Sequence, residues 1–222
     1  MWLTFIAVVL VSFASLIFMR PVAEKIGLVD KPNFRKRHQG LIPLIGGIAL
    51  FLGNLTFYAF QYDTMPLPGL YLLSVTILLI IGVLDDRFDI SPALRAGIQA
   101  VLAGAMIYSG LELESLGQII APFSIKLGFF SLLFTVFITI GVINAFNMVD
   151  GIDGLLAWLS SVSFAGIGVL MWINGEHAIA FWCLAIILTL IPYAMFNLSL
   201  FGAKWKVFMG DSGSTLIGFT II

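Results

Sequence analysis

The sequence predicts an all-α fold, a polytopic membrane helical bundle with about seven complete transmembrane helices and the start of an eighth. Three observations carry that prediction. The chain is 60% hydrophobic and 10% charged, with a mean hydropathy of +1.09, whereas soluble domains run at roughly 45–50% apolar and about 25% charged. The apolar residues form long, nearly continuous runs, not the one-sided stripes of helices that face water. The charged residues gather at the ends of those runs, where they sort by sign and side.

In chain order the predicted spans are 2–19, 44–60, 70–84, 93–108, 127–143, 156–173 and 178–196, each close to the roughly 17–25 residues that cross a bilayer core. An eighth run begins near Ser214 and is still apolar at Ile222. The first run has no Lys or Arg before Arg20 and no small-residue cleavage site, so it reads as a helix and not a signal peptide. Arg20, Lys25, Lys31, Arg35, Lys36 and Arg37 follow the first run, Arg87 and Arg95 the third, and Lys204 and Lys206 the seventh. Only Lys126 falls on the opposite side. The positive-inside rule then sets the N-terminus outside and the loops after odd-numbered spans in the cytoplasm. Gly110 to Lys126, on the outer side, is polar enough to hold a small hairpin. The single cysteine, Cys183, excludes an internal disulfide and reads as a small buried hydrophobe. His177, in a short outer turn without a second His or Cys nearby, reads as a solvated turn residue.

Parity brings Asp85-Asp86, Asp150-Asp153 and Asp211 to the same cytoplasmic side as the basic first loop. The joint Asn144-Ala145-Phe146-Asn147-Met148-Val149-Asp150-Gly151-Ile152-Asp153-Gly154-Leu155 packs two carboxylates, two carboxamides and two glycines between apolar runs. Ionisable groups at membrane helix ends are costly and read as functional; a helix stop with an Asp cap accounts for one Asp and one Gly of that set. Asp85 and Asp86 repel each other and oppose the dipole of the helix they end, so they call for a cation or shared proton. Phe208-Met209-Gly210-Asp211-Ser212-Gly213-Ser214 admits two readings. In one, Asp211 or Ser212 caps the helix; in the other, Asp211 is a metal carboxylate beside backbone N–H groups that hold a phosphate. Acids set among bases on one face point to a divalent metal and phosphate groups. The basic run Lys31 to Gly40 serves topology and anionic headgroups, or attracts a phosphorylated lipid and a nucleotide.

Asp85-Asp86, the Asn-x-x-Asn-x-x-Asp-Gly-x-Asp-Gly-Leu pattern at 144–155, and Phe-Met-Gly-Asp-x-Gly-Ser at 208–214 together resemble the polyprenyl-phosphate N-acetylhexosamine-1-phosphate transferases. Val29-Asp30-Lys31-Pro32 and Arg35-Lys36-Arg37-His38-Gln39-Gly40 are most similar to the bacterial branch that makes undecaprenyl-diphospho-N-acetylglucosamine for O-antigen and enterobacterial common antigen. The resemblance covers essentially the whole chain. It implies a Mg²⁺-dependent enzyme, with Mn²⁺ as a substitute, in the bacterial inner membrane. UDP-N-acetylglucosamine and undecaprenyl phosphate are its implied substrates, UMP its leaving group, and a homodimer its implied assembly, with no nucleic-acid partner. Carried over by position, Asp85, Asp86, Asp150 and Asp153 are the implied catalytic residues. Lys36, His38, Arg95, Asn144, Asn147, Gly154, Leu155 and Asn197 are the implied substrate-binding residues, and Asp211 with Asp150 the implied metal ligands. The family's later His- and Arg-rich loop is absent from this sequence, so residues 1–222 are expected to form one C-terminally truncated transferase domain. The shortened eighth helix is then expected to anchor Asp211 poorly. An ion-coupled transporter, the rival from another class, would place acids inside spans and show an internal repeat. A scaffold subunit would not need its acidic clusters on one side.

Overall fold

The computed structural model of the protein describes residues 1–31, 40–117 and 125–222. Eight helices dominate: α1 Trp2–Ile26, α2 Gly46–Gln61, α3 Pro68–Phe88, α4 Pro92–Tyr108, α5 Ser131–Val149, α6 Leu155–Ile173, α7 His177–Asn197 and α8 Gly210–Thr220. Among the described residues, five stretches are long and apolar enough to cross a membrane: α1, α3, α6, α7 and Gly128–Val149, which contains α5. The sequence predicts about seven. The difference lies in α2 and α4, whose 16 and 17 residues make them shorter than the other five.

Apolar side chains face both ways, as expected where lipid tails are the solvent. Leu3, Leu10, Val101, Leu133, Phe137, Val162 and Ile173 are exposed on the outside. Inside, small and hydroxyl-bearing residues let the helices approach: Ser12, Ser74, Ser160 and Thr189 are all at most 1% exposed. Ser12 Oγ donates to Ala49 O at 3.1 Å, joining α1 to α2. At the end of the bundle opposite the acidic clusters, Trp182 Nε1 donates to Asn54 Oδ1 (2.9 Å), Asn54 Nδ2 to Tyr71 OH (2.8 Å), and Tyr71 OH and Thr220 Oγ1 share a bond of 2.9 Å. That chain ties α7, α2, α3 and α8 without an ionisable pair.

α8 is the centre of the packing. It contacts α2, α3 and α5, and every residue from Ser212 to Thr220 is buried. It has 11 residues and is held from several sides, contrary to the poor anchoring expected of a shortened eighth helix. Glycines explain the difference. A Cβ on Gly82 of α3 would meet Ser212 N at 2.5 Å, one on Gly47 of α2 would meet Gly213 Cα at 2.6 Å, and one on Gly218 would meet Ile143 Cα at 2.6 Å. Backbone lies directly on backbone at those crossings, and packing does the work that span length would otherwise do.

Two short strands sit beside this end of the bundle. β1 Val29–Asp30 pairs antiparallel with β2 Ile42–Pro43, so the ends of the basic first loop are clamped together. The chain at Phe208 continues the ribbon: Phe208 N–H donates to Pro43 O (3.0 Å), Gly46 N–H to Phe208 O (3.0 Å) and Gly47 N–H to Met209 O (3.1 Å). These bonds deliver Gly210, φ 76°, to the start of α8. At the opposite end of the bundle, a bridge pairs Ser115 with Lys126, in the segment where the sequence allows a hairpin.

Candidate active site

The site forms where the C-terminal ends of α3 and α5 meet the N-terminal ends of α4 and α8. The turn from α3 to α4 sets the first part. Asp89 takes the left-handed conformation, φ 57°, and donates its N–H to Asp85 O at 2.9 Å. Ile90 N–H donates to Asp85 Oδ1 at 2.7 Å, Ser91 caps α4 and Pro92 opens it. The chain thus reverses within a few residues, and Arg95, one turn into α4, comes back over Asp85.

Arg95 Nη1 donates to Asp85 Oδ2 and also to Asp211 Oδ2, the latter at 3.2 Å. One guanidinium nitrogen thereby joins the end of α3 to the start of α8. Asp85 is buried, at 3% side-chain exposure, while Asp211 keeps 32% and is the more open of the two. Asn147, on the last turns of α5, donates its amide to the other oxygen of Asp211 and to Ser214 Oγ at 3.1 Å. Both carboxylate oxygens of Asp211 are therefore oriented by charged or amide donors from different helices.

Asp86 points the other way. Asp211 N–H donates to Asp86 Oδ1 at 2.8 Å and Ser212 N–H to Asp86 Oδ2 at 3.3 Å. α8 has no side-chain cap from its own segment. Both readings of 208–214 change accordingly: the cap comes from α3, and the two N–H groups offered to a phosphate already serve a carboxylate. The dipole conflict at the end of α3 is resolved the same way, because the positive end of α8 lies against it.

The 150–155 turn forms a second part. Asp150 closes α5, donating its N–H to Asn147 O at 3.3 Å. Asp153 pairs with Lys206, and Lys206 Nζ also stands 5.4 Å from the ring centroid of Phe208. Gly154, φ 76°, starts α6 and donates its N–H to Asn197 Oδ1 at 2.6 Å, while Asn197 Nδ2 donates to Val207 O at 2.9 Å. Asn197 is 2% exposed. Its amide is committed on both sides to backbone, so it splices the 150–155 turn to the segment that leads into α8. Asn144 donates back to Ile140 O of its own helix at 2.7 Å, and Leu155 is exposed at the start of α6. Lys36 and His38 lie outside the described residues.

The structure thus brings Asp85, Asp86, Arg95, Asn147 and Asp211 together through side-chain hydrogen bonds, with Asp150 and Asp153 on the adjoining turn. Sequence reasoning missed Lys206 and Ser214 as members of the site. Lys206 reads only as a topology charge. Ser214 carried a usable signal, since it lies three residues after Asp211 and so on the same helix face. Among the described residues, no three His, Cys, Asp or Glu side chains converge as a ready metal cage. The donor set still suits a hard cation. Asp85 and Asp211 already offer oxygens to one common positive charge, and Mg²⁺ is usually held by one or two carboxylates with water and substrate phosphate completing its shell.

A family model described as glycosyl transferase family 4 matches residues 69–222. Relatives named undecaprenyl-phosphate alpha-N-acetylglucosaminyl 1-phosphate transferase match almost the whole chain. The one from Haemophilus influenzae is 60% identical over 95% of this chain and 60% of its own length. That from Pasteurella multocida is 60% identical over 100% of this chain and 63% of its own. That from Escherichia coli K12 is 52% identical over 98% and 59%. The chain thus spans about 60% of the length of the curated relatives it matches. The family match runs from the start of α3 through α8 and takes in each helix end that builds the site, and on that basis the chain belongs to glycosyl transferase family 4.

Proposed function

We propose that the protein, as part of a complete enzyme, transfers N-acetylglucosamine 1-phosphate from UDP-N-acetylglucosamine to undecaprenyl phosphate and releases UMP. The observation that carries this reading is the convergence of Asp85, Arg95, Asn147 and Asp211 from four helix ends at one end of the bundle. The names of the relatives support the choice of donor and acceptor.

An oxygen of the lipid phosphate attacks the β-phosphorus of the donor, and the bond from that phosphorus to the bridging oxygen breaks, leaving UMP. A phosphate monoester has a second pKa of about 6, so the acceptor is largely ionised near neutrality and needs no strong base. The demand on the protein is positioning and charge neutralisation. Arg95 supplies one fixed positive charge, and Asn147 fixes the orientation of the Asp211 carboxylate. Asp211 with Asp85 would hold Mg²⁺, with Asp150 as a third carboxylate carried over by resemblance; the bound ion would neutralise donor phosphate charge. Gly154, Leu155 and the exposed rim of the 150–155 turn would meet the nucleotide, and Lys36 and His38 the phosphates. The site faces the cytoplasm of a bacterial inner membrane in this reading, with the basic first loop, and O-antigen or common-antigen synthesis is the pathway it would start. The transporter reading is disfavoured because the clustered acids stand at helix ends and the polar chain toward the opposite end of the bundle is uncharged.

The test is transfer of radiolabelled N-acetylglucosamine 1-phosphate into lipid by membranes that carry this chain co-expressed with the C-terminal remainder of the Haemophilus influenzae relative. Label should enter a polyprenyl product only when both polypeptides, undecaprenyl phosphate and Mg²⁺ are present. Asp211→Asn should abolish it, since a neutral carboxamide is a poor ligand for a hard cation. Transfer at the wild-type rate by Asp211→Asn would refute the assignment.

A further inference from the structure

Adjacent Asp85 and Asp86 look interchangeable in sequence, yet the structure gives them different partners. Asp85 accepts from a side chain, Arg95, and from the turn amide of Ile90. Asp86 accepts from two successive backbone amides of another helix, Asp211 N–H and Ser212 N–H. Those amides belong to the first turn of α8, where backbone donors have no partner in their own helix. A carboxylate at that point matches the positive end of the helix dipole as well as two donors.

The surroundings fix this contact from both sides. A Cβ on Gly210 would meet Asp86 Oδ2 at 2.5 Å, so the residue before Asp211 must lack a side chain for Asp86 to reach the amides. Gly82, one turn before Asp86 on α3, lies directly under Ser212, with only 2.5 Å from its would-be Cβ to Ser212 N. α3 therefore delivers both the bare backbone on which α8 rests and the carboxylate that caps it.

From this geometry we infer that Asp86 is a positioning residue: it caps α8 across the gap between helices and so holds the Asp211 carboxylate against Arg95 and Asn147. In this role Asp86 acts through Asp211 and not on the transferred phosphorus or protons, whereas Asp85 shares Arg95 with Asp211. The inference rests on the proposed function for the role of Asp211, but the capping contact is measurable without any turnover.

Amide hydrogen–deuterium exchange, resolved at residues 208–215 in nanodiscs, reads the contact. In the wild type, Asp211 and Ser212 should be protected although they lie in the first helical turn. Asp86→Asn keeps one acceptor but loses the charge, and Asp86→Ala loses both. Exchange at these two amides should rise by about tenfold in Asp86→Asn and further in Asp86→Ala, the range expected when charge-assisted hydrogen bonds are lost. Asp85→Asn should leave it unchanged. Mn²⁺ binding, followed by electron paramagnetic resonance, and transfer should weaken in the same order for the Asp86 variants. Fast exchange at Asp211 and Ser212 in the wild type overturns the inference even if Asp86→Ala does not fold. Wild-type exchange in Asp86→Asn with transfer lost would also overturn it, since Asp86 would then act directly. So would raised exchange with Mn²⁺ binding and transfer intact. If no form of the protein binds Mn²⁺ or transfers the sugar phosphate, the proposed function fails, while the exchange result still decides the cap.

Discussion

Replacing Asn197 with Leu separates a residue that builds the site from one that touches a ligand. The two side chains are similar in volume, so the substitution removes polarity and leaves little cavity. Asn197 holds Gly154 N–H at 2.6 Å and Val207 O at 2.9 Å, in a place where it is 2% exposed itself and Val207 0%. The variant leaves one donor and one acceptor buried without partners. At about 1–3 kcal/mol for each orphaned group, the loss should be roughly 2–6 kcal/mol. The neighbouring Asp153–Lys206 pair joins the same two segments, but the Asp153 side chain is 48% exposed. Asp153→Asn should therefore cost no more than about 1 kcal/mol. Equilibrium unfolding in mixed micelles, followed by helical circular dichroism, reads both variants. Asn197→Asp is the second check: it keeps the acceptor for Gly154 but faces Val207 O with oxygen, and should also be strongly destabilised. If Asn197→Leu unfolds within about 0.5 kcal/mol of the wild type, the span usual for neutral surface changes, the splice is not what the amide is for and a ligand contact explains it better.

Other expectations follow from the same contacts. Gly82→Ala should destabilise by about 1–3 kcal/mol through overpacking against the α8 backbone, and a displacement of Asp211 by about 1 Å should lower transfer by up to a hundredfold; Gly97→Ala, with nothing within 4 Å of its would-be Cβ, should be neutral or better in both assays. In a Cys183→Ser background, Asn33→Cys and Asp63→Cys should react with a membrane-impermeant maleimide from opposite sides, and labelling of both from outside would refute the orientation proposed for the site.

The sequence made the helices and their shared acidic end readable because both depend on local features, namely run length and the parity of charges along the chain. What it hid was set by contacts between segments distant in sequence. Hydropathy stops α1 at Met19, yet the helix runs through Pro21 to Ile26, where Gly27 turns left-handed and closes it. β1 and β2 are two residues each, too short for any periodicity to register. Asn197 reads as a ligand-binding amide from its place in the resemblance, whereas its amide bonds two backbone groups, Gly154 N–H and Val207 O. Lys206 counts as one more cytoplasmic charge until Asp153 is seen beside it.

α8 shows why span length is a poor guide to anchoring. At about 1.5 Å per residue, its 11 residues cover about half of a core roughly 30 Å thick. Length, however, governs how a lone helix sits in lipid, and α8 is surrounded by protein. It runs antiparallel to α3: Gly82 lies on Ser212 at one end, and Tyr71 bonds Thr220 at the other. That direction is what makes the acid pair tolerable. The negative end of α3 meets the positive end of α8, Asp86 accepts the free amides there, and Asp85 is left to share Arg95 with Asp211. Asp85-Asp86 and Gly210-Asp211-Ser212 are therefore two halves of one joint. A parallel arrangement of the same two helices would set carboxylates against carbonyl ends and leave the first turn of α8 without a cap. The order of motifs along the chain and the direction of the helices that carry them are consequences of the same electrostatic requirement.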